Sequence, residues 1–195
     1  MANHVNNYLD IRTVSEEGKK VWQTFVDRMQ NPEQSHFDLR ELFFDGVDSN
    51  GTFINYDWQI VEDFVGAKWA TVEEVHEYGL NVCSAWGPVI PFGNHVAQEI
   101  GKVDPSVQLV LWYEDEFPNF VGVVTFNKDG VDTDHELDID ELHEICRNQN
   151  PELAALWDED TEEWTDEDAA HEILWEEIWE VVHFWQEDNI EWSNS

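Results

Sequence analysis

An excess of acidic side chains constrains this chain more than any other feature of its sequence. Its 195 residues include 44 Asp and Glu but 9 Lys and Arg, so the formal net charge is −35. Because like charges repel, compaction of such a chain is opposed, and the chain folds only if it buries enough apolar surface. Hydrophobic residues make up 42% of the sequence, and 11 residues are tryptophan. This content predicts a folded protein.

The charge also excludes classes of function. Binding to a nucleic-acid backbone or to an anionic membrane requires clustered Lys and Arg, so we expect neither direct nucleic-acid binding nor membrane association. No apolar run approaches the roughly 18 residues of a membrane span, and the first residues carry no secretory signal. Cys83 and Cys146 belong to no paired motif. We therefore expect reduced, structural thiols and a cytoplasmic location.

The acids are concentrated in the last third of the chain. Residues 129–195 hold 24 acidic residues and one basic residue, Arg147, whereas residues 1–128 hold 20 acidic and 8 basic residues. We predict a moderately acidic α+β domain over 1–128 and a strongly acidic, mainly helical extension over 129–195 packed on it. The extension also holds six tryptophans: Trp157, Trp164, Trp175, Trp179, Trp185 and Trp192.

Apolar periodicity in the first part predicts a mainly antiparallel sheet with helices on one face. Ser15 is a typical N-cap, Asn31-Pro32 ends the helix that follows it, and the turn at 116–119 predicts a hairpin. We expect strands over 5–11, within 52–65, over 80–85, 107–113 and 120–126, and helices over 16–30 and 90–102.

The extension contains one long amphipathic helix over about 166–187, with Thr165 and Asp168 as its capping pair. A shorter helix is expected over 138–148, and Pro151 starts another turn. One stripe of the long helix is apolar, widened by aromatic side chains, and the opposite side is acidic. The apolar stripe comprises Leu174, Trp175, Ile178, Trp179, Val181, Val182 and Trp185.

Four stretches lie within residues 1–126: Met1-Ala2-Asn3-His4 with Asn6-Asn7-Tyr8-Leu9, Glu62–Trp69, Ser84–Pro88, and Leu111–Glu116 with the following Phe120-Val121-Gly122. Together they resemble a known family, the YubB-type ferredoxin-like domain of phages and plasmids. The resemblance implies a ferredoxin-like fold and an origin on a mobile element. The family supplies no set of catalytic residues, and we expect Trp69 and Trp86 to be core residues.

Signals for a metal or for catalysis are weak. Residues 129–140, DGVDTDHELDID, resemble the start of an EF-hand loop. When the loop is counted from Asp132, however, Leu137 stands at the position that needs Gly and His143 at the position that needs Glu. We predict a solvated acidic loop there and leave a loose divalent-cation site open. His171-Glu172 begins an HExxH pattern, yet Trp175 replaces the second His. We predict no enzyme activity, no metal centre and no cofactor.

The leading hypothesis is therefore an interaction protein that mimics DNA. Carboxylates held at fixed spacing would replace phosphates and occupy the basic site of a host DNA- or RNA-binding protein, such as a defence nuclease, a restriction or CRISPR effector, a polymerase or a nucleoid protein. The predicted partner-binding residues are Asp158, Glu159, Asp160, Glu162, Glu163, Asp166, Glu167, Asp168, Glu172, Glu176, Glu177, Glu180, Glu187 and Asp188. The alternative is a non-enzymatic accessory or structural phage protein whose acidity serves solubility, a high-salt environment or divalent-cation binding. A homodimer through the tryptophan-rich helix also stays open.

Overall fold

The computed structural model describes residues 3–30, 36–50, 52–117 and 119–190. Asn31-Pro32, Pro118 and Trp192, which enter the predictions above, lie outside the described residues. The described residues form a mixed α+β structure with a seven-stranded antiparallel sheet and a long helix near the carboxyl end. None of the described helices is both long and apolar enough to cross a membrane.

The sheet has the strand order β2-β3-β4-β1-β5-β6-β7, and every neighbouring pair is antiparallel. Its strands are β1 (His4–Thr13), β2 (Phe37–Asp38), β3 (Ala70–His76), β4 (Gly79–Ala85), β5 (Gln108–Asp115), β6 (Phe120–Asn127) and β7 (Gly130–Asp138). Two short strands, β8 (Trp157–Asp158) and β9 (Glu163–Trp164), form a separate hairpin. The predicted strands at 5–11, 80–85, 107–113 and 120–126 are confirmed.

Six α-helices accompany the strands in the described residues: α1 (Glu16–Met29), α2 (Trp58–Phe64), α3 (Ile90–Gly101), α4 (Ile139–Gln149), α5 (Pro151–Ala154) and α6 (Glu167–Asp188). A 3₁₀ turn covers Leu39–Leu42. The Ser15 hydroxyl accepts a hydrogen bond from the Gly18 amide at 3.3 Å, which confirms it as the cap of α1.

The predicted capping pair of α6 is wrong. Asp166 is the N-cap, and its carboxylate accepts from the Ala169 amide at 3.2 Å. Thr165 is unavailable for this role because its hydroxyl donates to the Leu156 carbonyl at 3.0 Å. The cap therefore shifts by one residue, while the helix itself lies where the apolar period placed it.

Apolar side chains on one face of the sheet form the first hydrophobic core beneath α1 and α3. Leu9 lies opposite Leu111, and Leu111 lies opposite Val124 across the three central strands. These side chains share one face because residues in register on neighbouring strands point the same way. Trp22 from α1 and Phe92 from α3 close this core.

A second core lies on the opposite face. Val121 on β6 packs with Leu142 of α4 and with Leu174 and Ile178 of α6. Helices therefore cover both faces of the sheet, whereas the sequence led us to expect one. The second layer comes from α4 and α6, which follow the first 128 residues and bring their own apolar stripes.

Gln186 fastens the end of α6 to the sheet. Its side-chain amide is buried and donates to the main-chain carbonyls of Tyr113 and Gly122, each at 3.1 Å. These two carbonyls belong to paired residues on β5 and β6, so one side chain fixes the helix against two strands. A buried amide with both bonds made is favourable, whereas an unpaired one is costly.

Two local predictions are wrong. Residues 129–140 form strand β7 and the start of α4 rather than a loop, because acids alternate there with Thr133, His135 and Leu137, the period of a half-buried strand. Residues 52–65 contain helix α2 rather than a strand, because the Asp57 carboxylate caps the Gln59 amide at 2.9 Å. Strand β7 lies within the predicted extension and is hydrogen-bonded into the main sheet.

The two tryptophans of the family-like stretches behave differently. Trp69 is half-buried and makes an edge contact with His4. Trp86 is 61% exposed, so its assignment to the core is wrong. It follows the last residue of β4 and has a φ of 75°, a left-handed conformation that turns the side chain away from the strand's inner face.

Close packing at Gly122 gives a test of this fold. A Cβ at that position would overlap the ring of Tyr113, which is buried and donates from its hydroxyl to Glu136 at 2.8 Å. We expect Gly122→Ala to lower the free energy of unfolding by about 1–3 kcal/mol, the usual cost of overpacking, measured by urea denaturation. Gly87→Ala is the control, since its Cβ would meet nothing closer than 3.9 Å. Equal stabilities of the two variants would contradict this packing.

Candidate functional site

A large cavity lies between α4, the β8–β9 hairpin and the start of α6. We call it the acidic groove; its volume is about 950 Å³. Eight of its lining side chains are carboxylates, and one is a guanidinium. The groove is lined by Asp138, Asp140, Glu141, His143, Glu144, Arg147, Trp157, Glu159, Glu162, Glu163, Trp164 and Glu167.

A pair of tryptophans builds the hairpin that forms one wall. Trp157 and Trp164 lie directly opposite each other on β8 and β9, with ring centroids 4.9 Å apart. Aromatic pairs across strands stabilise short hairpins. The loop between them closes through the Glu162 amide, which donates to the Asp158 carbonyl at 2.8 Å. The acids at 159–163 are therefore carried by a hairpin with its own aromatic support.

Arg147 joins this hairpin to α4. Its guanidinium lies 4.0 Å from the ring centroid of Trp157 and 5.6 Å from that of Trp164. None of the salt bridges between described residues involves Arg147. The guanidinium is thus held by the faces of two aromatic rings and is surrounded by carboxylates. The cation–π contact stabilises the fold by about 0.5–2 kcal/mol.

Helix α4 positions the opposite wall. Asp138 caps it by accepting from the Glu141 amide at 2.9 Å, and the Glu141 carboxylate accepts from the Asp138 amide at 3.1 Å. His143 lies against Trp164, with centroids 6.2 Å apart, and burial lowers the pKa of its imidazole. His143 is therefore biased toward its neutral form and does little to offset the negative charge.

The predicted partner-binding residues are divided among several places. Four of them line the acidic groove: Glu159, Glu162, Glu163 and Glu167. Six are exposed elsewhere in the extension: Asp160, Asp168, Glu172, Glu176, Glu180 and Asp188. Glu187 lines a second cavity, described below.

The remaining three make local structural bonds. Asp158 accepts from the amides of Asp160 and Thr161 at 2.9 and 3.3 Å, and Asp166 caps α6. Glu177 is half-buried and accepts from the side chain of Asn150. These three carboxylates are already engaged within the chain.

Sequence reasoning missed the contribution of α4. Asp140, Glu144 and Arg147 follow one another at helical spacing and reach the groove together with His143. That spacing was a usable signal. Arg147 was recognised as the single basic residue after position 128, but its contact with Trp157 spans ten residues of sequence and depends on tertiary packing.

Most of the tryptophans of the extension support its packing. Trp164, Trp179 and Trp185 are each partly buried against the second core. Trp175 does not contribute to the buried stripe, because it is 58% exposed. The prediction that it widens the buried face of α6 is wrong, since the buried residues of that face include Leu174 and Ile178 but not Trp175.

A second cavity, which we call the sheet cleft, lies between α6 and the sheet, and its volume is about 360 Å³. Glu114 lies in it, half-buried, 3.5 Å from the hydroxyl of Tyr8. Burial raises the pKa of Glu114. The sheet cleft is lined by Tyr8, Trp112, Glu114, Trp179, Val182, His183, Gln186 and Glu187.

Features of a metal site or of a nucleophilic thiol are weak in the described parts of the chain. They contain no group of three or more His, Cys, Asp or Glu side chains that could hold a metal ion. Both thiols are free. Burial raises the pKa of Cys146 to about 11 and also raises that of Cys83, so neither is activated as a nucleophile at neutral pH.

Comparison with known proteins yields no relative: no family model, no curated protein and no solved structure matches this chain.

The role of Arg147 can be tested by Arg147→Met, which keeps the length of the side chain and removes its charge. We expect a loss of about 1 kcal/mol in unfolding free energy, together with faster hydrogen exchange in the 157–164 hairpin, because the rings lose their cation and the groove acids lose their only stacked counter-charge. Lys128→Met removes an equal charge from a surface ion pair and should change stability by less than about 0.5 kcal/mol. Unchanged exchange in the hairpin of the Arg147 variant would refute this account.

The raised pKa of Glu114 gives a prediction for pH. A carboxyl whose folded-state pKa lies above its unfolded value contributes stability at low pH and loses it as pH rises through the folded-state pKa. Glu114→Gln should therefore unfold at higher urea concentration than the wild type at pH 7, and the difference should vanish below about pH 4. Glu62→Gln, on the exposed side of α2, controls for the general relief of charge repulsion. If both variants have the same pH profile, burial of Glu114 is not the cause.

Proposed function

We propose that this chain is a DNA mimic, encoded by a phage or another mobile element, that binds and inhibits a basic DNA- or RNA-binding protein of the host. The observation that carries the proposal is the acidic groove, where eight carboxylates face one cavity and one guanidinium is held on aromatic rings. A cavity lined by one sign of charge concentrates the field and attracts a partner of the opposite sign.

The spacing of the carboxylates supports the proposal. Glu172, Glu176 and Glu180 are exposed and lie one helical turn apart on α6, which places successive Cα atoms about 6 Å apart along the axis. Phosphates along one DNA strand repeat at a comparable distance, because each nucleotide rises about 3.4 Å and the backbone also twists. A protein built to contact several phosphates would meet carboxylates at similar intervals.

Rigidity also favours mimicry over a merely solubilising tail. The groove acids belong to a capped helix, to a hairpin closed by paired tryptophans, and to the first turn of α6. Acids held in place do not need to be ordered when the partner binds, which lowers the entropic cost of association. Solubility alone would not require such support.

The domain over residues 1–128 is, in our proposal, a ferredoxin-like domain of the YubB type. The support is topological: β1, α1, β3, β4, α3 and β5 follow in the order strand-helix-strand-strand-helix-strand, and their strands lie in the order β3-β4-β1-β5. Strand β2, the 3₁₀ turn and α2 are inserted between α1 and β3. On this proposal the extension is the part that contacts the partner.

The test is capture from a bacterial lysate with matched charge variants. The groove variant carries Glu159→Gln, Glu162→Gln and Glu163→Gln. The control carries Glu17→Gln, Glu62→Gln and Glu77→Gln, which remove the same charge from exposed positions elsewhere. We expect the wild type and the control to retain DNA-binding proteins that duplex DNA displaces and high salt releases, and the groove variant to retain at least about tenfold less.

Two results would reject the proposal. Equal capture by the groove variant and the control would mean that net charge, not the groove, attracts the partner. Retained proteins that duplex DNA does not displace would show that the occupied surface of the partner is not its nucleic-acid site.

A further inference from the structure

The sheet cleft combines aromatic faces with carboxylates on a surface separate from the acidic groove. The two cavities share none of their lining residues. Tyr8 and Trp112 lie directly opposite each other on β1 and β5 and so point to the same face of the sheet. Trp179 approaches them from α6. Three aromatic side chains from three different elements therefore meet at one cavity.

The rings are open to a ligand to different degrees. Tyr8 is 38% exposed, whereas Trp112 and Trp179 are partly buried. Trp157 and Trp164, which are also partly buried, pack on each other. Around the sheet cleft the rings instead border about 360 Å³ of free space, which is within the usual size of small-ligand sites.

Trp112 already receives a cation from within the chain. The guanidinium of Arg12, near the end of β1, lies 4.7 Å from the centroid of the Trp112 ring. The electron-rich face of an indole attracts guanidinium and ammonium groups in this way. The contact shows that this ring stands in an orientation that a cation can reach.

Two charged groups beside the rings are carboxylates, whose sign is opposite to that of an organic cation. Glu114 is half-buried and Glu187 is exposed at the rim of the sheet cleft. Glu114 takes part in none of the salt bridges between described residues. Its carboxylate accepts from two neutral groups, the hydroxyl of Tyr8 at 3.5 Å and the side-chain amide of Asn6. A partly desolvated carboxylate without a counter-ion is stabilised when a cation arrives.

We propose that the sheet cleft binds an organic cation of the guanidinium or alkylammonium type, held between Tyr8, Trp112 and Trp179 and paired with Glu114. Such a group is found on a free small amine and on the Lys or Arg side chain of a protein. Both present the same chemistry to the cleft. The proposal does not depend on DNA mimicry, because no residue of the acidic groove takes part.

The experiment titrates the full chain with n-butylguanidinium and n-butylammonium while the indole N–H signals are followed by NMR. n-Butylurea is the neutral control, since it has the shape of butylguanidinium without the charge, and NaCl at equal concentration controls for ionic strength. We expect saturable shifts confined to the signals of Trp112 and Trp179 and no saturation with butylurea or NaCl.

Variants tie the binding to the cleft. Glu114→Gln should weaken binding at least about tenfold, as expected when a charged partner is replaced by its neutral isostere, whereas Glu62→Gln should change it less than about twofold. Arg12→Gln should strengthen binding, because a cation that competes for the same ring has been removed. The Glu114 variant is expected to fold, since it relieves a partly buried charge.

A peptide arm separates the two sources of the cation. If acetyl-Gly-Arg-Gly-amide binds more tightly than butylguanidinium, the occupant is a protein side chain; if it binds more weakly, the occupant is a small amine. The proposal fails if the shifts spread evenly over the indole signals, if NaCl reproduces them, or if Glu114→Gln binds as the wild type does. None of these outcomes bears on capture by the acidic groove.

Discussion

Burial of apolar side chains on both faces of one sheet holds this chain together against a net charge of −35. Repulsion among carboxylates falls with distance and is screened by salt, but it acts on every part of the surface. The first core, under α1 and α3, and the second, under α4 and α6, share strand β6, because Val124 and Phe126 belong to the first core and Val121 belongs to the second. Gln186, at the end of α6, links the second helical layer to the sheet, because its side-chain amide donates hydrogen bonds to the main-chain carbonyls of Tyr113 and Gly122.

This arrangement explains why the described part of the acidic extension, residues 129–190, is folded. Charged segments without an apolar stripe stay disordered, because they bury too little surface to offset the loss of chain entropy. Here α6 presents Leu174, Ile178 and Val182 to the sheet and places its acids on the other side. The hairpin adds a small aromatic cluster around Arg147. Order in the extension is thus a property of its tryptophans and aliphatic residues, and its carboxylates are positioned as a result.

The elements that could be predicted are those with a strong local period. Helix α6 and the β5–β6 hairpin have regular apolar patterns and lie where the sequence placed them. Strand β3 was missed because a bulge between Val72 and Glu74 breaks its alternation. Strand β7 was missed because its alternate positions are acidic. The two cavities could not be predicted, because each depends on how distant elements pack. Arg147 on α4 contacts Trp157 on β8, and Trp179 on α6 lines one cavity with Trp112 on β5.

Strand β7 also bears on how the molecule behaves at high concentration. It is the last strand of the sheet among the described residues, and an open edge of this length invites pairing between copies, the first step toward fibrils. Asp134, Glu136 and Asp138 occupy alternate positions along it, so a second copy added edge to edge would bring like charges together. Partial burial and the neighbouring Glu136 raise the pKa of Asp134. Protonation of Asp134 in acidic solution therefore weakens this barrier to polymerisation at the middle of the strand.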